Sequence, residues 1–219
     1  WFTGALYAAV LAALGVMTVL PVIQRFYKGL LREEGYLMFT LPVESWKIVL
    51  AKALAAVLMI HISLIVGIFS IGILAGELTF LKAVPKFLAE CFNLIIAGFK
   101  EDAGMTVHVI LFFLEGLLAM IAAWFATVYH FYLAMALGHL FPRNRVAGSV
   151  LSFLGINIAV NILMSAAATF IPDVNLDQWL TVQQSAHVSM WLMTLCLAAF
   201  AAAFFAGTVA ILRRKLNLE

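Results

Sequence analysis

Glu115 is the residue of this 219-residue chain that combines reactive chemistry with the least ordinary setting. It stands about ten residues into the apolar run Met105–Leu140, near mid-bilayer at ~1.5 Å of helix rise per residue. A carboxyl group held in hydrocarbon needs a proton or a partner, and such groups mark solute or proton routes or bonds between helices. A hydrogen bond to another helix is the commoner outcome of the two. His130 follows fifteen residues later in the same run, roughly 22 Å along a helix, too far for a direct pair. His61, in an earlier apolar run, reads as a hydrogen-bonded packing histidine rather than a ligand. Asn157, Asn161, Ser165 and Thr169 recur at four-residue steps, so they share one slowly drifting helix face. Such a stripe lines a polar cavity or bonds helices together, and packing is slightly favoured. Gly148 with Ser152, and Ala199 with Ala203 and Gly207, are small-residue steps suited to close helix approach.

Other chemistries find no support. Cys91 and Cys196 are far apart and fit no CxxC or Cys/His metal spacing, so they read as unpaired apolar residues, and no metal site is expected. There is no phosphate-binding Walker sequence, no GxGxxG opening a helix, no GxSxG and no HExxH. No catalytic residue is assigned. A net charge of +2 is too small to suggest nucleic acid.

The elements that must hold these residues follow from composition. With 65% hydrophobic and 11% charged residues, against about 25% charged in soluble domains, an all-α polytopic integral membrane helix bundle is expected. Five spans are read as Phe2–Ile23, Ala53–Gly76, one within Met105–Leu140, Val146–Ile171 and Ala186–Leu212, forming one domain over residues 1–219. The connection Glu77–Ala103 carries apolar residues at three- and four-residue steps with Lys82, Lys86 and Glu90 on another face. It reads as an interfacial amphipathic helix over 79–103. The chain starts at Trp1 without a basic leader, so its first apolar run is a span, and a sixth span is expected upstream.

One stretch breaks the apolar pattern. Gln24–Lys52 holds Arg25, Lys28, Arg32, Lys47 and Lys52 among Phe26, Tyr27, Tyr36, Leu37, Met38, Phe39 and Trp46. Such an amphipathic piece rests on a membrane surface or docks into a partner. Thr40 and Pro42 suggest a helix start that runs through Trp46 and Lys52 into the next span. Counting Lys and Arg in the connections puts this stretch, the His139–Arg145 connector and the Arg213–Lys215 end on one side, with ten basic residues against three. That side is expected to be cytoplasmic, with the C-terminus there and the 79–103 helix outside, in the inner or plasma membrane.

The run Arg25–Lys28, then Glu34-Gly-Tyr-Leu-Met-Phe-Thr-Leu-Pro-Val43, then Leu50-Ala-Lys52 entering a span, resembles bacterial ABC transporter permeases of the type-2 exporter class. His139-Leu-Phe followed by Arg143-Asn-Arg-Val-Ala-Gly-Ser149 is similar to that family's second cytoplasmic connection, and Arg214–Glu219 to its usual ending. The resemblance covers nearly the whole chain but lacks the family's first span. It implies a permease subunit with residues 25–52 as a cytoplasmic coupling element. Within it, Arg25, Tyr27, Lys28, Arg32, Glu34, Tyr36, Leu37, Met38, Phe39 and Pro42 would engage an ABC ATPase subunit, with His139, Arg143 and Arg145 in the second cytoplasmic loop. ATP and Mg would be bound by that ATPase and not by this chain. A second permease copy, identical or paralogous, would complete the route through the lipid bilayer. Glu115, Asn157, Asn161 and Ser165 are its candidate lining residues. The substrate expected is a small amphiphile, antibiotic, peptide or lipid-like molecule. The alternatives are a proton-coupled secondary transporter using Glu115 with His130, and a non-transporting membrane scaffold or immunity protein.

Overall fold

A computed structural model of the chain describes residues 43–74, 79–141, 144–170 and 181–215, together with 9, 10, 12, 13, 15–17, 20, 23, 24, 26 and 27. The described residues form helices and short connections, with no strand among them. Five helices are continuous: α1 (Ser45–Leu74), α2 (Thr79–Glu101), α3 (Ala103–Gly138), α4 (Arg145–Phe170) and α5 (Val182–Lys215). Four of them, all but α2, are long and apolar enough to cross a membrane. Most of the first expected span, Phe2–Ile23, lies outside the described residues, although those given between 9 and 27 are helical up to Tyr27.

Local chemistry sets the helix ends. Asp102 stands alone between α2 and α3 in extended backbone, and its carboxylate accepts from the Met105 N–H at 3.0 Å, capping α3. At α5, Thr181 and Gln184 form a reciprocal capping box: each backbone N–H donates to the other's side chain, at 3.1 and 3.3 Å. That box starts α5 four residues before the expected Ala186. The second span likewise begins early, at Ser45, so the residues from Trp46 to Lys52 belong to one helix with it.

α3 and α5 make the most extensive pairing and run parallel. His187 meets both His108 and Glu115, Trp191 meets Glu115, and Phe205 lies 5.1 Å from Tyr129 between ring centroids. α4 runs back along α3 and packs next most extensively on it. The α3–α4 hairpin closes because Gly138 and Gly148 lack Cβ atoms. A Cβ at Gly138 would run into the backbone of Ser149, and one at Gly148 would lie 2.9 Å from the Gly138 carbonyl oxygen.

The core sits toward one end of the bundle. Phe26, then Val49, Ala53, Ala56 and Val57 of α1, pack with Val128, Tyr129, Tyr132 and Met135 of α3 and with Ala201 and Leu212 of α5. Elsewhere the helices show much apolar surface, including Leu58 and Ile62 on α1, Phe113 on α3, Ile162 on α4 and Leu192 on α5. A bilayer covers such surface without penalty, which agrees with a multi-pass membrane protein. On α2, Phe92, Leu94, Ile95, Ile96 and Phe99 are exposed, and Lys86 pairs loosely with Glu90 at 3.9 Å between two exposed side chains.

Candidate functional site

Two regions gather the chemically able residues, one at each end of the α3–α5 pair. The first is built on Glu115. Its Oε2 accepts from His187 Nδ1 at 2.7 Å, and its Oε1 accepts from the Trp191 indole N–H at 2.9 Å. Both donors come from α5, at positions 187 and 191, one helical turn apart and therefore on one face. The far ring nitrogen of His187, Nε2, lies 3.1 Å from His108 Nδ1. His108 is on α3, seven residues or two turns before Glu115, which brings it onto the same face. Phe112, between them on α3, meets the His187 ring edge-on at 6.0 Å. The result is a continuous chain from His108 through His187 and Glu115 to Trp191. The carboxylate and the central imidazole are mostly shielded, with side chains 12% and 18% exposed. One turn nearer the helix starts, the Gln183 amide donates to Met105 Sδ at 3.4 Å.

His187 uses its two nitrogens in opposite directions, so Glu115, His187 and His108 do not converge on a point. Among the described residues no group of three such ligands does. The arrangement is suited to holding and passing protons rather than a metal. His130 takes no part in it. Its ring stacks on Phe153 at 4.5 Å and 11°, its Nε2 is buried without a hydrogen-bond partner, and it lies fifteen residues down the same helix. His61 donates from Nδ1 to the Val57 carbonyl at 2.8 Å and meets Trp124 edge-on at 5.8 Å.

The stripe on α4 turns back on its own helix. Asn157 donates to the Phe153 carbonyl at 3.0 Å, Asn161 to Asn157 at 2.8 Å and Thr169 to Ser165 at 2.9 Å. Asn161, Ser165 and Thr169 are exposed and Asn157 half-buried, so within this chain the stripe faces out of the bundle instead of joining helices.

The second region is the opposite end, where the stretch 25–52 enters and leaves. Arg25, Lys28, Arg32, Glu34, Tyr36, Leu37, Met38, Phe39 and Pro42 lie outside the described residues, as does Arg143. The flanks are described. Phe26 is fully buried and stacks on Tyr132 of α3, with centroids 3.9 Å apart and planes at 16°. Beyond it, Tyr27 helps line an open cavity of about 420 Å³ with Ile23, Phe131, Met135, Val150 and Phe153, an almost wholly apolar surface. On the other flank, Glu44 Oε2 accepts from Lys47 at 3.0 Å and from the Trp46 indole at 2.8 Å. The Lys47 and Trp46 hydrogen bonds, then the Lys47 charge, hold the Glu44 carboxyl below the usual carboxylate range. Arg213, at the end of α5, adds a smaller pull in the same direction. The start of α1 and the end of α5 therefore share one end of the bundle, with the α3–α4 connector.

In that connector His139 caps α3, and its N–H bonds back to the Met135 carbonyl at 3.0 Å. Its Nδ1 is buried without a partner. Burial pushes the imidazole below its ordinary value, and the Arg145 charge adds to the shift.

Sequence reasoning singled out Glu115 but not its partners His108, His187 and Trp191. The two-turn spacing of His108 and Glu115, and the one-turn spacing of His187 and Trp191, were the available signals. No family model matches the chain, and no curated protein or solved structure matches it either.

Proposed function

We propose that this chain is the membrane permease subunit of an ATP-driven exporter. In this reading it couples closure of separate ABC ATPase subunits to alternating access for a small amphiphilic, antibiotic, peptide or lipid-like substrate. The run from Glu34 to Val43, on which the resemblance to type-2 exporters rests, is the observation that carries the reading. Its flanks support it in physical terms. Phe26 is wedged against Tyr132 on one side, and the Glu44–Trp46–Lys47 cluster opens α1 on the other. A force on the stretch between them would reach α3 and α1 directly. The apolar cavity beside Tyr27 suits an apolar portion of a substrate better than a sugar or an ion. In the same reading the outward stripe Asn157, Asn161 and Ser165 faces a second permease copy, and ATP and Mg reside on the ATPase.

The test is co-expression with a candidate ABC ATPase subunit, sought among neighbouring reading frames, followed by co-purification and nucleotide-dependent transport in proteoliposomes. Assembly that is lost on replacing Tyr36 and Phe39 by Ala supports coupling through the stretch. An ATPase that does not assemble, assembly indifferent to that double substitution, or flux that follows a proton gradient without ATP would overturn the proposal.

A further inference from the structure

Of the five continuous helices, α2 alone is not apolar enough to cross a membrane, although its 23 residues make it about 34 Å long. Where its two ends lie follows from its neighbours. Glu44, just before α1, feels the charge of Arg213 at the end of α5, and His61, further along α1, meets Trp124 of α3. Because α3 and α5 are parallel, α1 runs antiparallel to α3, so α1 finishes at the end of the bundle where α3 starts. Residues 75–78 join α1 to α2 and can reach at most about 18 Å, while Asp102 alone joins α2 to α3. α2 therefore begins and finishes at that one end of the bundle. Its join to α3 is a sharp bend. The Asp102 N–H donates to the Gly98 carbonyl at 2.8 Å, and the Thr106 hydroxyl and N–H both donate to the Asp102 carbonyl, at 2.9 and 3.1 Å. A Cβ at Gly98 would stand 2.6 Å from Thr106 Oγ1, whereas eight residues of straight helix would hold these positions about 12 Å apart.

Three faces of α2 differ. Phe92, Ile95, Ile96 and Phe99 stand at i, i+3, i+4 and i+7 of one face and are exposed, Phe92 by 64%. Gly98 looks from a second face onto α3, so that helix does not cover the aromatic one. Lys86, Glu90 and Asn93 fall on a third, with Lys86 and Glu90 one turn apart. A helix tied at both ends to the face of the membrane where α1 leaves and α3 enters has the boundary between headgroups and acyl chains within reach along its length. Amphipathic helices bury their apolar side about 5–10 Å into that boundary. Three basic residues, Lys82, Lys86 and Lys100, stand against Glu90, Glu101 and Asp102, which leaves no net charge to draw the segment to anionic lipid. We propose that α2 is a lipid-binding anchor, with Phe92, Ile95, Ile96 and Phe99 inserted among the acyl chains and the Asp102 bend passing that position to the start of α3. The occupant of this face is the lipid surface, zwitterionic or anionic alike. His108 lies within two turns of Asp102, so the anchor sets the depth of the end of the α3–α5 pair that carries the Glu115 network, whether or not ATP drives transport.

The experiment uses the full chain in phosphatidylcholine vesicles, with Cys91 and Cys196 replaced by Ala. Single nitroxide labels are placed at each position from Glu90 to Phe99 except 91 and 98, and at exposed Phe113 of α3 as a deeper reference. Relaxation by oxygen, which concentrates among acyl chains, is compared with relaxation by a water-soluble nickel chelate. Oxygen access should peak at Phe92, Ile95, Ile96 and Phe99, about 5–10 Å below the phosphates, and chelate access at Glu90, Asn93 and Ala97. Adding phosphatidylglycerol should leave this oscillation in place. Phe92→Asp combined with Phe99→Asp should shift the labels at Ile95 and Ile96 toward the chelate while the label at Phe113, which reports an intact bundle, stays unchanged. Chelate access on every face, exclusion of both reagents from the apolar positions by a second copy or another protein, uniform oxygen access from a helix that crosses, or insertion that needs phosphatidylglycerol would each overturn the proposal.

Discussion

Removing the Glu115 carboxylate tests whether the network at the start of the α3–α5 pair holds the helices together. Glu115 accepts from His187 at 2.7 Å and from Trp191 at 2.9 Å, and replacement by Ala strands both donors at once. In a soluble interior, bonds to a charged group contribute about 1.5–3 kcal/mol each. In a bilayer the corresponding couplings average only ~0.6 kcal/mol with a maximum near 1.7, because the unfolded chain in the membrane finds other partners. The membrane scale governs here, and the 12% and 18% exposures of Glu115 and His187 leave little screening to reduce it further. The shorter, charge-assisted Glu115–His187 bond should therefore show a coupling of about 1–1.5 kcal/mol and the Glu115–Trp191 bond about 0.5 kcal/mol. Two double-mutant cycles measure these values: Glu115→Ala with His187→Ala, and Glu115→Ala with Trp191→Phe. Reversible unfolding in mixed micelles near neutral pH, followed by near-ultraviolet circular dichroism, is the assay. Single and double variants that add within about 0.3 kcal/mol in the first cycle would refute the geometry on which the site rests.

Three further outcomes follow from other parts of the molecule. Gly148→Ala places a Cβ 2.7 Å from Phe141 and 2.9 Å from the Gly138 carbonyl, so it should cost about 1–3 kcal/mol by the same unfolding assay, whereas Gly155→Ala, with nothing within 4 Å, should be neutral or slightly stabilising. His139 has its folded-state pKa lowered by burial, so the unfolded connector binds protons first: stability present above the ordinary histidine value of about 6.5 is lost as pH falls below it. Amide exchange at Leu140 and Phe141 should accelerate over that window and lose the pH dependence in His139→Gln. Asn161→Ala should leave the stability of the single chain within about 0.5 kcal/mol, since the side chain is exposed and bonded to its own helix, while changing transport if the stripe lines a route.

Much of the architecture was legible because long apolar runs leave a chain few options. The runs at Ala53–Gly76, Met105–Leu140, Val146–Ile171 and Ala186–Leu212 each became a helix; α1 starts at Ser45, eight residues before Ala53, and the ends of the other three lie within four residues of their runs. Thr181-Val-Gln-Gln184 carried the signal for the early start of α5, since a Thr followed three residues later by Gln closes a capping box. The site was less legible. Hydropathy shows that Glu115 is out of place but not what it touches. Its partners lie 72 and 76 residues away, an offset fixed by how α3 and α5 slide against each other when Phe205 seats near Tyr129 and Gly207 near Leu133. No local pattern encodes that offset. The stripe on α4 shows the reverse case, because spacing gave its face correctly but could not say whether that face points inward.

The two regions occupy opposite ends of one parallel helix pair, and that bears on how the chain could work. From Tyr132, against which Phe26 is stacked, to Glu115 is seventeen residues of unbroken α3, roughly 25 Å of rod. α5 accompanies it over that length, with Phe205 beside Tyr129 at one end and His187 against Glu115 at the other. A displacement applied at Phe26 would therefore not dissipate in a loop before it reached the network. Moving the pair as a body leaves the His108–His187–Glu115 bonds intact, whereas parting its starting ends requires those bonds to break. In the proposed exporter, the ATPase end would set where the pair stands, and the hydrogen bonds at the far end would hold its two helices together as it moves. The two ends are separable by experiment, since Phe26→Ala should weaken coupling to the ATPase while leaving the Glu115–His187 coupling energy unchanged, and His187→Ala should do the opposite.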